Sequence, residues 1–151
     1  MIFCTIAAAA AALDLRVKQY VLDNVTGGED REMAGGRLVL RKVYNRGAAF
    51  NLLEKSPRFV MKLSALLGAV LLVRDAFLLR TKGHTVEKTG MMLLTGGALS
   101  NLYDRVMRGK VVDYLAFKSR WKRLSRLTFN LGDVCIAAGT LLAVLSRRKK
   151  P

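Results

Sequence analysis

GGALSNLYDRVMRGKVVDYLAF (96–117) decides how this chain folds, because it carries an apolar segment out into polar residues and on to a carboxylate. Residues 91–99 are free of charge, and Asn101, Asp104 and Arg105 follow at once. Gly97, Asn101, Asp104 and Arg105 stand at i, i+4, i+7 and i+8, so a helix through this stretch gathers them on one side. Asp113 comes after Val111 and Val112, in what reads as the turn leaving that helix. A second short stretch, FNLGD (129–133), sets Asn130 and Asp133 at the start of another apolar run. A carboxylate costs about 3 kcal/mol at the centre of a membrane span and less towards the interface. Two of them at the edges of apolar segments point to use. Paired acids can share one proton and activate water without a metal.

The bulk composition fits that reading. The 151 residues make one domain or one small bundle, and 52% apolar residues coexist with 25% charged ones. Segregation reconciles the two fractions, since residues 1–13, 59–73, 91–99 and 134–146 are almost free of charge. The expected fold is an all-α membrane protein. It would be a four-span helical bundle, with spans at about 2–21, 59–79, 85–106 and 131–145 and a small surface β-element between the first two. The net charge of +15 would suit nucleic acid, but anionic lipid head groups account for it equally and explain the apolar runs as well. No nucleic-acid partner is expected; membrane lipids are. The alanine-rich first run (residues 7–12 are all Ala) has no basic residue ahead of it, so it reads as a retained span and not a cleaved leader.

If four spans alternate in direction, the end of the first, the end of the third and the start of the fourth meet at one face. Those ends carry Asp14 and Lys18, then Asn101, Asp104 and Arg105, then Asn130 and Asp133. One polar site at one membrane face follows. Residues 37–44 alternate and are β-branched enough for a strand or hairpin on the membrane surface, and NRGAAF (45–50) reads as a loop returning to the bilayer. Tyr114, Phe117 and Trp121, set among basic residues in 114–128, read as interfacial aromatics. Cys4 and Cys135 read as small buried residues, on opposite faces and too far apart for a disulfide. Charge does not orient the bundle: the loops on the site's side hold about 15 Lys and Arg against about eight on the other, opposite to the usual bias for an outward site.

Several chemistries are excluded by content. One His and two Cys cannot build a zinc site, so no metal and no cofactor are expected; His84 reads as a solvated loop residue. There is no phosphate-binding glycine loop and no credible Ser–His pair. Asn130 can cap the last helix with Asp133 at its third position, where acids offset the helix dipole. Asp113 could pair with Arg105 or Lys110, and Asp104 with Arg105. Two functions stay open on the residues alone. One is an aspartic endopeptidase; the other is a small ion- or proton-coupled carrier using the acids as a relay. A relay wants its acids near the midplane, and these stand at span ends, which favours the peptidase.

Together, LDLRVKQYV (13–21), NRGAAF (45–50), GGALSNLYDRVMRGKVVDYLAF (96–117) and FNLGDVCIAAG (129–139) resemble the lipoprotein signal peptidase, or signal peptidase II, family, nearly end to end and in order. The resemblance implies a four-span aspartic protease of the bacterial cytoplasmic membrane, with its site outward and both termini cytoplasmic; the sequence leaves the oligomeric state open, with a monomer favoured. Its substrates would be lipid-modified prolipoproteins, cut just before a cysteine that carries a diacylglyceryl group. Asp113 and Asp133 match the catalytic pair. Asn45, Asn101, Arg105 and Asn130 match residues lining the site, while Asp14, Lys18 and Asp104 match residues that shape it; Gly97 is grouped with these. Ser100 stands where the family usually has Gly, and Gly132 where it usually has Ala, so altered packing is expected there. A Pro usual before Phe129–Asn130 is missing, and the 118–128 loop is unusually basic.

Overall fold

The computed structural model describes residues 2–48, 52–121, 125 and 127–148. Along the chain run helix α1 (Ile2–Asn24), strands β1 (Arg31–Met33) and β2 (Leu38–Asn45), and helices α2 (Pro57–Arg80) and α3 (Thr85–Tyr103). A π-helical turn (Asp104–Arg108), strands β3 (Val111–Phe117) and β4 (Thr128–Phe129), and helix α4 (Leu131–Arg148) complete it. Local chemistry sets these ends. Pro57 opens α2, where its missing N–H costs nothing. Gly109, at φ 70°, stops the π turn in a left-handed conformation that a side chain would resist.

The helices fall on the four expected segments, within a few residues at each end. The β-structure is larger than expected. Four antiparallel strands pair in the order β1-β2-β3-β4, so half of them come from beyond α3 and not from the α1–α2 connection. Asp113 lies within β3 opposite Val43, not in a turn. The sequence VVDYLAF supports a strand on its own terms, being β-branched and aromatic with every residue from Val111 to Tyr114 buried. Side chains alternate along it. Val112 and Tyr114 face α1 and pack with Val21 and Val25, while Val111 and Asp113 face the other way. Tyr114 is therefore 2% exposed and not an interfacial anchor, whereas Phe117 and Trp121 are exposed. Ala49 and Phe50 of the NRGAAF loop, and Lys122, Arg123 and Arg126 of the basic loop, lie outside the described residues.

Helix α3 is the central element, packed against α1, α2 and α4. Glycine makes that possible. A Cβ on Gly139 of α4 would sit 2.4 Å from the Gly90 carbonyl oxygen, and one on Gly96 would sit 2.5 Å from that of Ala7. Both obstacles are backbone, so the helices can approach this closely only without side chains at these positions.

Buried charges accompany the apolar core, and large apolar side chains are exposed. Asp14, Lys18, Asp75, Glu87, Lys88 and Asp104 are buried, while Phe59, Leu66, Leu67, Val70, Val73 and Phe77 of α2 are exposed. No helix among the described residues is long and apolar enough to cross a membrane. Cys4 is exposed, contrary to expectation, and Cys135 is half-buried; both are free thiols on different helices. His84 is exposed, as expected.

The close contact of α3 and α4 is testable. Gly139→Ala drives a methyl into backbone on both α3 contacts, and overpacking of this kind costs about 1–3 kcal/mol. The apparent melting temperature of purified Gly139→Ala should fall by several degrees, while Gly27→Ala, with nothing within 4 Å of the added carbon, should leave it unchanged.

Candidate active site

A fully buried lysine organises the site. Lys18 and Asp14 are one turn apart on α1, and their side chains meet at 2.8 Å with no exposure to solvent. The Lys18 ammonium also reaches Asp104 Oδ2 at 3.2 Å, Asn101 Oδ1 at 2.8 Å and Ser100 Oγ at 3.2 Å. Asp104 is further paired with Arg108, one turn on, so two cations face two carboxylates. The expected Asp104–Arg105 pair does not form. The π turn swings Asp104 towards Lys18 and leaves Arg105 free to face another way; such local widening of a helix is frequent at functional sites.

Each contact of this cluster holds something nearer the acids. Asp104 Oδ2 accepts the Val112 N–H at 3.0 Å, fixing the start of β3. Because Asn101 Oδ1 accepts a hydrogen bond from Lys18, its amide nitrogen turns to Asp133 Oδ1, at 2.9 Å. Asn130 forms the expected capping box: Asp133 N donates to Asn130 Oδ1 at 2.8 Å, and Asn130 N to Asp133 Oδ2 at 3.1 Å. The same Asn130 donates through Nδ2 to Asp113 Oδ1 at 2.7 Å. Asn45, at the end of β2, donates to the other oxygen of Asp113 at 3.2 Å. Asp113 thus bonds Asn45 and Asn130, not Arg105 or Lys110. Asn130 touches both acids. Burial, reinforced by the charge of Asp133, pushes Asp113 up to about 7.

A cavity of about 600 Å³ opens at this point. Asn45, Asn101, Arg105, Asp113 and Asp133 line one part; most of the rest is apolar, with Leu67, Leu71, Leu94, Ala98, Ile136 and Ala137, and Ser64 and Thr128 also reach it. Arg105 donates to the carbonyls of Gly47 at 3.1 Å and Asn101 at 3.3 Å, and its buried Nε has no partner. The expected residues therefore divide by position. Five of them face the cavity, while Asp14, Lys18 and Asp104 lie behind it as support, and Asn130 is buried between the acids. Gly97 supports by absence: a Cβ there would come 2.2 Å from the Gly132 carbonyl oxygen, blocking the approach of α4. No group of three His, Cys, Asp or Glu able to hold a metal occurs among the described residues.

Two participants were not foreseen. Ser100 Oγ donates to Asp14 Oδ2 at 2.5 Å while accepting a hydrogen bond from Lys18. The Tyr114 hydroxyl donates to Asp14 Oδ1 at 2.9 Å and accepts the Leu131 N–H at 3.0 Å. Burial and the Asp14 carboxylate hold that hydroxyl protonated, well above the usual phenol range. Ser100 had one sequence signal, its place one residue before Asn101 on the polar side of the helix. Tyr114 had another, its alternation with Val112, which puts it on the core face.

Comparison with known proteins finds relatives along nearly the whole chain. The family model for signal peptidase (SPase) II matches residues 6–147. The lipoprotein signal peptidase of Clostridioides difficile (strain 630) is 34% identical over 142 residues, 93% of this chain and 90% of that protein. That of Neisseria meningitidis serogroup C (strain 053442) is 35% identical over 146 residues, covering 95% and 87%. A solved bacterial membrane enzyme shares the fold, with a TM-score of 0.84 at 22% identity, over 98% of this chain and 88% of that one. Matched along nearly its whole length by both the family model and these relatives, the chain belongs to the signal peptidase II family.

Proposed function

We propose that this protein is an intramembrane aspartic endopeptidase that removes the signal peptide from diacylglyceryl-modified prolipoproteins, cutting just before the lipidated cysteine. One observation carries the reading: Asp113 and Asp133, bridged by Asn130, stand at the polar end of a cavity whose remaining walls are mainly apolar. That combination suits a peptide bond held next to an acyl chain. A carrier relay is less well supported, since the acids sit beside the sheet at one end of the bundle and not along a path through it.

Membrane embedding rests on the buried charges and the exposed apolar side chains. The helices have 18 to 24 residues, roughly 27–36 Å at 1.5 Å per residue, which matches a hydrocarbon core of about 30 Å. Asp14, Lys18, Asp75, Glu87 and Lys88 are turned inwards, while α2 exposes Phe59, Leu66, Leu67, Val70, Val73 and Phe77, many large apolar side chains for one water-exposed helix. Polar groups inside a bundle are how a membrane helix accommodates them. In the bacterial cytoplasmic membrane the sheet and the acids would lie at the outer face, with both termini cytoplasmic, and the working unit would be the monomer.

The chemistry divides between the acids. Asp133 lies in the first turn of α4, where unpaired N–H groups and the helix dipole favour the carboxylate. Asp113, in a strand, has no such help and retains its proton near neutral pH. Asp133 takes a proton from water as its oxygen bonds to the scissile carbonyl carbon, and Asp113 gives its proton to the carbonyl oxygen. Collapse of the tetrahedral intermediate breaks the C–N bond. The proton on Asp133 goes to the leaving amine, and Asp113 recovers its own from the intermediate's hydroxyl. Arg105 and Asn45, on the cavity wall, are placed to orient substrate carbonyls.

Asp113→Asn and Asp133→Asn should each reduce cleavage of a lipidated prolipoprotein by at least about 10³-fold without loss of the folded protein, because neither amide can pass a proton. Mass analysis of the product checks this, and a fully active variant of either acid would remove the dyad. Asp113 works protonated, so kcat should hold up to about pH 7 and then fall roughly tenfold per unit as that proton is lost. A rate that climbs through pH 8 would contradict the assignment. The unmodified precursor should be cut at least about 100-fold more slowly than the lipidated one, since acyl burial at about 0.8 kcal/mol per CH₂ holds the bond at the depth of the acids. Equal turnover of the two forms would exclude selection by the lipid.

A further inference from the structure

Tyr114 follows Asp113 in the chain but points the opposite way, into the core between β3 and α1. Its hydroxyl is occupied on both sides. It accepts the N–H of Leu131, the first residue of α4 and two residues before Asp133, and it donates to Asp14 of α1. That N–H belongs to the first turn of a helix, where no backbone carbonyl can serve it. A neighbouring carboxylate polarises the phenol and strengthens it as an acceptor. One atom therefore joins the residue beside one acid to the helix turn that carries the other.

We propose that the Tyr114 hydroxyl is a positioning group for the aspartate pair, tying β3 to the first turn of α4 and so setting the separation of Asp113 and Asp133. Asn130 bridges the acids directly, but it stands on the α4 side only and reaches Asp113 through one side-chain bond. The β3–β4 pairing ends at Leu115 opposite Phe129, so beyond it the polar ties from β3 to the start of α4 are the Asn130 bond and the Tyr114 hydroxyl. Without the hydroxyl, the first turn of α4 can shift about the end of that ladder against the Asn130 bond and apolar packing alone. Val112 and Tyr114 share one face of β3, yet only Tyr114 reaches α4 with a polar atom.

Given the peptidase function proposed above, the consequence is readable in kinetics. Asp113 feels Asp133 from α4, Lys18 from α1 and Arg105 from the π turn. A wider gap to Asp133 weakens the like-charge repulsion that holds the Asp113 proton on. In Tyr114→Phe, kcat should fall roughly 10- to 100-fold with KM within about twofold, and the alkaline limb of the rate profile should move down by about half a pH unit. Val112→Ala, which removes packing from the same face, should lower the melting temperature and leave the limb in place. Should Tyr114→Phe fail to accumulate, 3,5-difluorotyrosine placed at 114 by codon suppression keeps the shape and weakens the oxygen as an acceptor. It should move the limb in the same direction by less.

A limb that stays put in the folded tyrosine variant, or shifts equally in Val112→Ala, overturns the positioning role. Failure of the unaltered protein to cleave would instead overturn the peptidase reading itself.

Discussion

A single ammonium group, that of Lys18, is the constraint on which the rest of the structure depends. Removing it from water is expensive, and only an arrangement that pairs it and satisfies its donors can hold it there. Asp14, Asp104, Ser100 and Asn101 do so, and they come from α1, α3 and the π turn. Loss of one partner from such a set typically costs about 3–5 kcal/mol, so the helices are locked in register by charge more firmly than by their small-residue contacts. The lock extends outwards. Asp104 holds β3 through the Val112 N–H, and Asn101 is forced to present its amide to Asp133.

The sheet turns that register into a site. A strand offers its two faces to different tasks at a spacing of one residue, and β3 uses both. Val112 and Tyr114 fasten it to the bundle, while Val111 and Asp113 face the cavity. An acid on a loop would need other residues to hold it. Here the carboxylate inherits its rigidity from the neighbours on either side, and Asn45 on the paired strand adds one hydrogen bond to it.

Much of this was legible in the sequence, for identifiable reasons. The i, i+4 spacing of Asp14 and Lys18, the cap-and-acid spacing of Asn130 and Asp133, and the helical phase of Asn101 and Arg105 are local relations, and the structure keeps them. Alternation in residues 37–44 likewise appears as β2. What failed was non-local. Nothing in VVDYLAF says that its partner is a strand some 70 residues earlier, and attention to Asp113 as a reactive group led it to be read as a turn. Asp104 was assigned to its sequence neighbour Arg105, where a π turn instead delivers it to Arg108 and Lys18. Tyr114, aromatic and close to basic residues, fits a head-group anchor by composition; only its burial against α1 reveals the polar task of its hydroxyl.

Ser100 and Gly132 both bear on Asp14. Ser100 holds Asp14 Oδ2 at 2.5 Å, and the Cβ that Gly132 lacks would come within 2.8 Å of that same oxygen. A methyl added at Gly132 would crowd Asp14 against the hydroxyl that already holds it, and removing the Ser100 hydroxyl would leave that carboxylate without one of its donors. The two positions are therefore coupled through one oxygen, and a change at either alters what the other can carry.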